Sequence, residues 1–251
     1  MDNGDQFRRL KRITGETGFE TLQKSTVILF GVGGVGSWAA ESLVRSGVVQ
    51  ITIVDSDEVA LSNINRQMIA LHSTLGKSKV EVLKERLLDI NPNALISIHH
   101  SYYDAESAEL FDLNSYDYVV DAIDSLSPKK LLIEKACSAD TYFVSSMGAA
   151  LKTDPMRVKI APIHKTKGCG LAKIIRKDMH RKGLSAVFMT VYSEERLGNF
   201  YDEGEVLSTK GASKKQENGT FAHITAIFGN CLASLVINDC LDKHSILKRE
   251  R

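Results

Sequence analysis

A glycine-rich turn at residues 31–36 follows the apolar run Val27–Phe30 and precedes a helical pattern that starts at Ser37. A strand, a turn and a helix in this order are typical of nucleotide-binding sites in α/β folds. Glycines let the backbone approach phosphates, and the helix N-terminus directs free N–H groups at them. The turn would also suit close helix–strand packing alone, so the rest of the chain must decide. The glycines concerned are Gly31, Gly33, Gly34 and Gly36.

A carboxylate stands at the end of the second apolar run. Residues 51–54 end in Asp55, 24 positions after Gly31. At about 20 residues from such a turn, an acidic side chain binds ribose hydroxyls in dinucleotide-binding folds. The polar segment Asp57–Gln67 that follows is rich in groups that could hold a ligand. These features alone also fit a dehydrogenase.

A helix is predicted from Lys77 to Asn91, because apolar residues recur there at spacings of three and four. Lys79 falls in its first turn, where a cation opposes the helix dipole. A lysine in that position is most often solvated. It gains a role only if an anion also binds there.

The first 150 residues alternate between strands and helices. Further strands are predicted at 95–99, 118–120 and 142–144, and helices at 16–23, 105–111 and 128–138. This alternation predicts an α/β fold with a Rossmann-like, doubly wound and mostly parallel sheet. Ligands of such sheets bind beyond the carboxyl ends of the strands, where Asp55 and Asp124 both lie.

The pattern changes in the C-terminal part of the chain. Segments 156–163 and 186–191 alternate like strands and predict an antiparallel C-terminal extension. Residues 165–182 between them form a basic segment with an apolar face. Residues 196–218 are polar and rich in glycine, which predicts a mobile loop.

The composition is that of an ordinary globular protein, with 43% hydrophobic residues, 25% charged residues and a formal net charge of +1. We expect one domain over residues 1–251, with a nucleotide-binding core at 1–150 and an extension at 151–251. Because the net charge is close to zero, any surface for nucleic acid must be a local patch.

The four cysteines are scattered, and no Cys-x-x-Cys pair occurs. This pattern argues against a disulfide framework or a cysteine-rich zinc site and favours free thiols in a reducing compartment. The polar N-terminus is unlike a secretory signal. The longest apolar stretch, residues 224–237, is shorter than the ~20 residues of a membrane span. We therefore interpret it as a buried helix and expect a cytoplasmic protein without a membrane span.

Five ordered elements of the chain resemble the adenylating superfamily of ubiquitin-activating enzymes, which includes the ThiF- and MoeB-like proteins. They are the glycine turn, Asp55–Asp57, Asn63–Gln67, Lys79 and Asp121–Asp124. Within that superfamily the chain looks most like the tRNA threonylcarbamoyladenosine dehydratases. The motifs shared with that subgroup lie at 35–41, 152–155 and 191–195.

The resemblance implies an enzyme that uses ATP and Mg²⁺ to adenylate a carboxylate. It implies that Gly34 and its neighbours contact the phosphates, that Asp55 binds the ribose and that Asp124 binds Mg²⁺. Arg12 would reach the partner's site in a homodimer. The implied nucleotide-binding set is Gly31, Gly33, Gly34, Gly36, Asp55, Asp57, Asn63, Arg66, Lys79, Asp124 and Ser125. The implied catalytic set is Arg66, Lys79, Asp124 and Arg12.

Simpler interpretations of three of these residues stay open. Arg66 can be a surface ion pair, and Lys79 and Arg12 can be solvated charges.

In the dehydratases that the chain resembles, the carboxylate belongs to a threonyl group on a modified adenosine beside the tRNA anticodon. The neighbouring carbamoyl group closes a ring on the activated acid, so no protein nucleophile is needed. Holding both reacting groups on one nucleoside gives a large effective molarity. The basic segment at 165–182 would then contact tRNA phosphates, with a solvated amphipathic helix as the alternative.

The chain departs from the subgroup at two places. Cys169-Gly170 stands where Asp-Pro is usual, and Ala149 and Ala150 stand where glycines are usual. Members of the family are associated with cysteine desulfurases, so Cys169 could be a sulfur acceptor for such a partner. An inert thiol is the simpler interpretation.

Three other functions remain open. One is adenylation of the C-terminus of a ubiquitin-like sulfur-carrier protein, although bacterial enzymes of that type commonly carry two Cys-x-x-Cys pairs. Another is an NAD-binding oxidoreductase, which leaves Asn63, Arg66 and Lys79 without a role. The third is a non-catalytic module that binds ATP.

Overall fold

A seven-stranded sheet forms the centre of the protein in the computed structural model, which describes residues 5–198 and 218–243. The strands are β1 (Thr26–Phe30), β2 (Gln50–Val54), β3 (Leu95–His99), β4 (Tyr118–Asp121), β5 (Tyr142–Ser146), β6 (Val158–Pro162) and β7 (Met189–Ser193). Their order is β3-β2-β1-β4-β5-β7-β6. All neighbouring pairs are parallel except β6 and β7, which are antiparallel.

Helices cover both faces of this sheet. They are α1 (Arg8–Lys24), α2 (Gly36–Arg45), α3 (Lys79–Ile90), α4 (Leu126–Ala136), α5 (Gly170–Arg181) and α6 (Ala222–Lys243). Val27 and Leu29 of β1 enter a core with α2, α3 and α6, whereas Ile28 and Phe30 enter a second core with α4 and α5. Alternate side chains of a strand point to opposite faces. The prediction of a doubly wound, mostly parallel sheet is confirmed.

The antiparallel pairing that was predicted for the C-terminal part occurs at the edge of the same sheet. Ile160 of β6 lies opposite Val191 of β7, while β7 is parallel to β5, with Met189 opposite Val144. The extension therefore continues the sheet rather than forming a separate one. Most of the loop predicted at 196–218 lies outside the described residues.

The N-terminal helix is longer than the sequence pattern indicates. The prediction began it at Glu16, but α1 begins at Arg8 and includes the preceding basic residues. Gly15 interrupts it with a φ of 66° and a ψ of 178°. Glycine adopts positive φ without a steric penalty, so the chain continues as a helix on both sides of a kink.

Two other predicted helices differ from the structure. The segment 105–111 contains a 3-10 turn, Ser107–Leu110, rather than an α-helix. Asp104 Oδ1 accepts the N–H groups of Glu106 and Ser107, at 3.1 and 2.9 Å, just before and at the start of this turn. Helix α4 begins before Pro128 rather than at it, since a proline in the first turn loses no intrahelical hydrogen bond.

Helix α6 has 22 residues and is long and apolar enough to cross a membrane. The length argument made from residues 224–237 is therefore wrong. Half of its most apolar 18-residue stretch is buried, and the helix packs against α2 in the first core. Burial of this helix agrees with the prediction.

Gly229 allows α6 to approach α2 closely. A Cβ atom at this position would lie 2.4 Å from the Val35 carbonyl oxygen and 2.7 Å from Trp38 Cβ. We expect Gly229→Ala to push the helices apart and to lower the free energy of unfolding by about 1–3 kcal/mol, measured by urea titration. The control is Gly170→Ala, where a Cβ meets nothing within 4 Å. Equal stabilities of the two variants would contradict this packing.

Candidate nucleotide-binding and adenylation site

The glycine turn connects β1 to α2 at the carboxyl edge of the sheet. Gly31 has a φ of 91°, and a Cβ there would lie 2.7 Å from the Ala122 carbonyl oxygen. A Cβ on Gly36 would lie 1.7 Å from the Gly31 carbonyl oxygen. No side chain fits at either position without moving the backbone. Gly33 is less enclosed, because a Cβ there would meet only the Gln67 side chain at 3.7 Å.

Asp55 joins the ends of β1 and β2. Its Oδ2 accepts the N–H of Val32 at 2.6 Å, and its Oδ1 accepts the N–H of Asp57 at 2.8 Å. Burial raises the pKa of Asp55, and the two backbone N–H groups oppose that change. Each carboxylate oxygen keeps a further lone pair, so the side chain can still accept ribose hydroxyls.

The polar segment after β2 folds back on itself beside the glycine turn. Asn63 is buried, and its Oδ1 accepts a backbone N–H within the segment at 3.1 Å. Arg66 Nη1 donates to the Ser62 carbonyl at 2.8 Å and to Asn65 Oδ1 at 2.9 Å. A Cβ on Gly34 would lie 3.4 Å from Arg66 Cγ. The guanidinium is thus fixed near the turn, with further N–H groups for a ligand.

Lys79 is buried, so it is not the solvated lysine of the simpler interpretation. Its side chain is 5% exposed, and its Nζ lies 2.7 Å from Oδ2 of Asp57, which is 64% exposed. The backbone N–H of Lys79 also donates to the Asp57 carbonyl at 3.0 Å. A bound triphosphate would compete with Asp57 for this ammonium group.

Asp124 is exposed and follows β4, with its Oδ1 accepting a hydrogen bond from Ser125 Oγ at 3.1 Å. Asp121 supports the loop from inside the protein, since its Oδ1 accepts the N–H of Ile123 at 3.0 Å. Oδ2 of Asp121 lies 2.5 Å from Lys129 Nζ, and both side chains are 0% exposed. Asp121 is therefore not accessible to a ligand, whereas Asp124 is.

Arg12 is exposed on α1 and lies apart from the other predicted site residues. Leu10 and Phe19 of the same helix reach within 3.4 Å of a Cβ on Gly47, which follows α2 at the amino edge of the sheet. The crevice is at the carboxyl edge. One chain therefore brings together the glycine turn and its acidic and basic neighbours, but not Arg12.

Gln67 is a residue to which the sequence pattern assigned no role. It is 6% exposed, and its Nε2 approaches Gly33. Its Oε1 is buried without a hydrogen-bond partner among the described residues. Because an unpaired buried amide oxygen is destabilising, Gln67 is a candidate to bind a ligand in the crevice.

The motifs at 152–155 and 191–195 contact each other beyond the ends of β5 and β7. Glu195 accepts the N–H groups of Asp154 and Thr153, each at 2.9 Å, and the Thr153 hydroxyl at 2.8 Å. These donors, with the backbone of Asp154 first, lower the pKa of Glu195 to about 2. Lys152 Nζ donates to the Glu195 carbonyl, and burial lowers the pKa of Lys152. The distance between the motifs in sequence hid this contact.

The first turns of α6 connect this cluster to the nucleotide loops. Thr225 Oγ1 donates to the Arg66 carbonyl at 3.2 Å. His223 Nε2 lies 3.0 Å from the Thr153 carbonyl, so it is the protonated nitrogen that donates. The start of α6 thus connects the loop after β2 with the loop after β5.

The basic segment forms α5, as its amphipathic pattern indicates. Part of its charge is neutralised, because Arg181 lies 2.6 Å from Asp178, and Lys182 lies 2.6 Å from Glu134. The exposed lysines of the segment without an ion pair among the described residues are Lys165, Lys167, Lys173 and Lys177. They leave a smaller basic patch than the sequence alone indicates.

A cavity of about 680 Å³ lies at the opposite, amino edge of the sheet. Lys24, Asp117 and Tyr142 are among its lining residues. It contains none of the predicted site residues, which line the open crevice at the carboxyl edge.

We expect Glu195→Gln to destabilise the protein at neutral pH, because the fold stabilises the charged carboxylate. The folded-state pKa of about 2 lies below the value of about 4.3 in unfolded chains. This contribution is therefore complete above the unfolded value and is lost as the pH falls toward the folded value. The Tm difference between wild type and variant should shrink across that window.

The control is Glu194→Gln, which removes only an exposed ion pair with Lys159 and should change Tm little. A Tm difference for Glu195→Gln that did not depend on pH would contradict the assignment.

Comparisons with known proteins agree with this geometry. The ThiF family matches residues 5–249. The chain is 44% identical to the tRNA threonylcarbamoyladenosine dehydratase of Bacillus subtilis over 76% of this chain and 75% of that protein. It is 34% identical to the dehydratase of Haemophilus influenzae over 98% of this chain and 97% of that protein.

A solved structure with the same fold carries the nucleotide. The Escherichia coli tRNA N6-threonylcarbamoyladenosine dehydratase in complex with ATP is 30% identical and matches with a TM-score of 0.84, covering 96% of this chain and 95% of that chain. The family match and these relatives together cover almost the whole chain. The protein therefore belongs to the ThiF family and, within it, to the tRNA threonylcarbamoyladenosine dehydratases.

Proposed function

We propose that this protein catalyses the ATP-dependent cyclisation of threonylcarbamoyladenosine next to the anticodon of tRNA, through adenylation of its carboxylate. The observation that carries the proposal is the arrangement around the glycine turn. Asp55 follows β2, Lys79 begins α3 and Asp124 follows β4, all at one edge of the sheet. A related dehydratase has been solved with ATP and with AMP, which supports a nucleotide in the same crevice.

ATP fits the crevice with its ribose at Asp55 and its phosphates over the glycine turn. Asn63, Arg66 and Lys79 then hold the triphosphate from the side of the polar segment. The carboxylate of Asp57 is 64% exposed and releases Lys79 when the phosphates arrive. Positive charge at this place stabilises the pyrophosphate that leaves.

Mg²⁺ is the metal that suits the donors present. No group of three or more His, Cys, Asp or Glu residues that could hold a metal occurs within residues 5–198 and 218–243. Mg²⁺ is commonly bound by one or two carboxylates together with substrate phosphates and water. Asp124 supplies such a carboxylate, and Ser125 orients it. The ion neutralises charge on the phosphates when bound.

The reaction has two steps. An oxygen of the threonyl carboxylate attacks the α-phosphorus, and pyrophosphate leaves. The carbamoyl nitrogen or oxygen then attacks the acyl carbon, a proton is lost from a carbamoyl nitrogen, and the ring closes as AMP leaves. The oxygen lost in the net dehydration departs in the phosphate of AMP. No protein nucleophile takes part.

A homodimer would give Arg12 its role. Arg12 is exposed and lies away from the crevice of its own chain, so it can act at a nucleotide site only if that site belongs to a partner. A guanidinium supplied by the partner would add charge at the triphosphate.

The tRNA backbone is proposed to bind the unpaired lysines of the basic segment, because clustered cations release counterions from phosphates. All four cysteines are free thiols. A tRNA substrate and free thiols both support a cytoplasmic location.

Adenylation of a sulfur-carrier protein is the second candidate. The chain is 33% identical to a Culex quinquefasciatus adenylyltransferase and sulfurtransferase, but the match covers only 61% of this chain and 35% of that protein. Cys169 is 7% exposed, and a buried thiol is poorly placed to accept sulfur from a desulfurase partner. These observations favour the dehydratase.

The proposed function is tested by incubating the full-length protein with MgATP and tRNA that contains threonylcarbamoyladenosine, followed by mass spectrometry of the nucleosides. The expected result is the loss of one water from that nucleoside together with formation of AMP and pyrophosphate. An unchanged nucleoside in the presence of bound ATP would refute the proposal.

We expect Arg66→Ala to lower kcat by about 100-fold or more, because charge stabilisation of the phosphates is the main catalytic term. Tm should change little, because the bonds that the guanidinium makes among the described residues lie within its own loop. Nucleoside mass spectrometry over time gives the rate. The control is Arg45→Ala, at the far end of α2 in an i,i+4 pair with Glu41. Near-normal turnover of Arg66→Ala would remove its assigned role.

We expect the double variant Lys173→Glu/Lys177→Glu to weaken tRNA binding about 10-fold or more and to reduce its salt dependence, without changing the affinity for ATP. Filter binding over a range of salt concentrations measures the tRNA affinity and its salt dependence. The control Lys24→Glu/Lys84→Glu makes the same change in net charge on α1 and α3, and α3 covers the face of the sheet opposite to α5. An equal loss in both variants would show that only net charge matters.

A further inference from the structure

Two aromatic side chains at the start of α6 have no role in the core or in the proposed nucleotide site. Phe221 is 55% exposed, and His223 is also exposed. Their ring centroids lie 5.5 Å apart, with an angle of 40° between the planes. An isolated exposed hydrophobic residue is normal on a protein surface. Here two exposed rings lie together at the edge of the proposed nucleotide site, so they form a larger aromatic surface than one residue alone.

The pair lies beside the loop that holds the triphosphate. Asn65 Nδ2 donates to the carbonyl of Thr220 at 3.1 Å. Thr225 donates its N–H to the Phe221 carbonyl at 3.2 Å, and its Cγ2 would lie 3.1 Å from a Cβ on Gly34. Phe221 is therefore one helical turn, about 5.4 Å along the axis, from a residue that touches the glycine turn.

Hydrogen bonds hold the chain on both sides of Phe221. His223 donates to the Thr153 carbonyl, and Thr153 is itself fixed by Glu195. On the other side, Gly219 lies just before Phe221, and its carbonyl accepts the N–H of Leu151 at 2.9 Å. These bonds fix the His223 ring and the backbone on either side of Phe221, so less conformational entropy is lost when a flat ligand stacks there.

The adenine of ATP does not stack on the pair formed by Phe221 and His223. The ribose carboxylate, Asp55, follows β2, on one side of the glycine turn. His223 bonds to Thr153 in the loop that follows β5, and β5 lies on the other side of β1 in the sheet. This is the side left open for the molecule whose carboxylate is adenylated.

We propose that Phe221, supported by His223, is a stacking platform for an unstacked nucleobase of the tRNA anticodon loop. This inference rests on the proposed function and names how the same site takes its substrate. Single-stranded RNA loops are recognised by stacking of splayed bases on aromatic side chains. A base stacked there, next to the modified adenosine, directs that nucleoside toward the glycine turn, which Thr225 contacts, so that its carboxylate meets the α-phosphate.

The test compares Phe221→Leu, which keeps an apolar side chain without a ring, with Phe221→Tyr, which keeps the ring. The full-length proteins are assayed with MgATP and tRNA containing threonylcarbamoyladenosine. Phe221→Leu should raise KM for tRNA about 10-fold or more, with KM for ATP, Tm and oligomeric state unchanged. Phe221→Tyr should retain the wild-type KM.

A fluorescent purine analogue beside the modified adenosine gives a second measurement. Wild type and Phe221→Tyr should quench its emission on binding, and Phe221→Leu should not. Equal KM and quenching in all three proteins, or a change of oligomeric state in Phe221→Leu, would overturn the platform. If wild type binds tRNA but converts nothing, the proposed function fails, and quenching alone then decides on the platform.

Discussion

The contact between Gly31 and Gly36 is the constraint on which the site depends. With no Cβ at either position, α2 begins directly at the end of β1 and lies over the end of β4. The same turn receives Asp55 from β2 through the N–H of Val32. A side chain at either glycine would separate these elements, and the crevice would lose the shape that lets a backbone approach phosphates.

The packing of α6 extends this constraint to the C-terminal part of the chain. Gly229 brings α6 against the start of α2, so that Thr225 reaches both Gly34 and the Arg66 carbonyl. The residues just before Thr225 bond to the loop after β5. The C-terminal part therefore forms one wall of the crevice, and a change in helix packing would be transmitted to the phosphate-binding turn.

Much of the architecture could be predicted from the sequence, because strands that are buried on both faces are apolar runs between turn signals. The run at 95–99 coincides with β3, and the order of elements fixed the doubly wound class. Local irregularities of the helices could not be predicted. The helix expected at 105–111 contains only a 3-10 turn, and Gly15 kinks another without ending it.

The site, like the fold, could be predicted from the sequence only in part. The ends of the predicted strands indicated the edge at which Asp55 and Asp124 lie, and the family resemblance added Lys79 to the proposed site. The sequence could not show that Lys79 is buried against Asp57, nor that Glu195 binds the backbone at Thr153. Those contacts join residues that are distant in sequence, and nothing in the composition of either partner indicates them. For the same reason the paired and unpaired charges of the basic segment could be separated only in the structure.

The central claim is that one crevice holds the triphosphate of ATP between the glycine turn and the polar segment. A crystal structure of this chain with ATP and Mg²⁺ tests it most directly. We predict phosphate oxygens within hydrogen-bond distance of Asn63, Arg66 and Lys79, the ribose on Asp55, and the metal on Asp124. An empty crevice, or these side chains directed away from the nucleotide, would contradict the account.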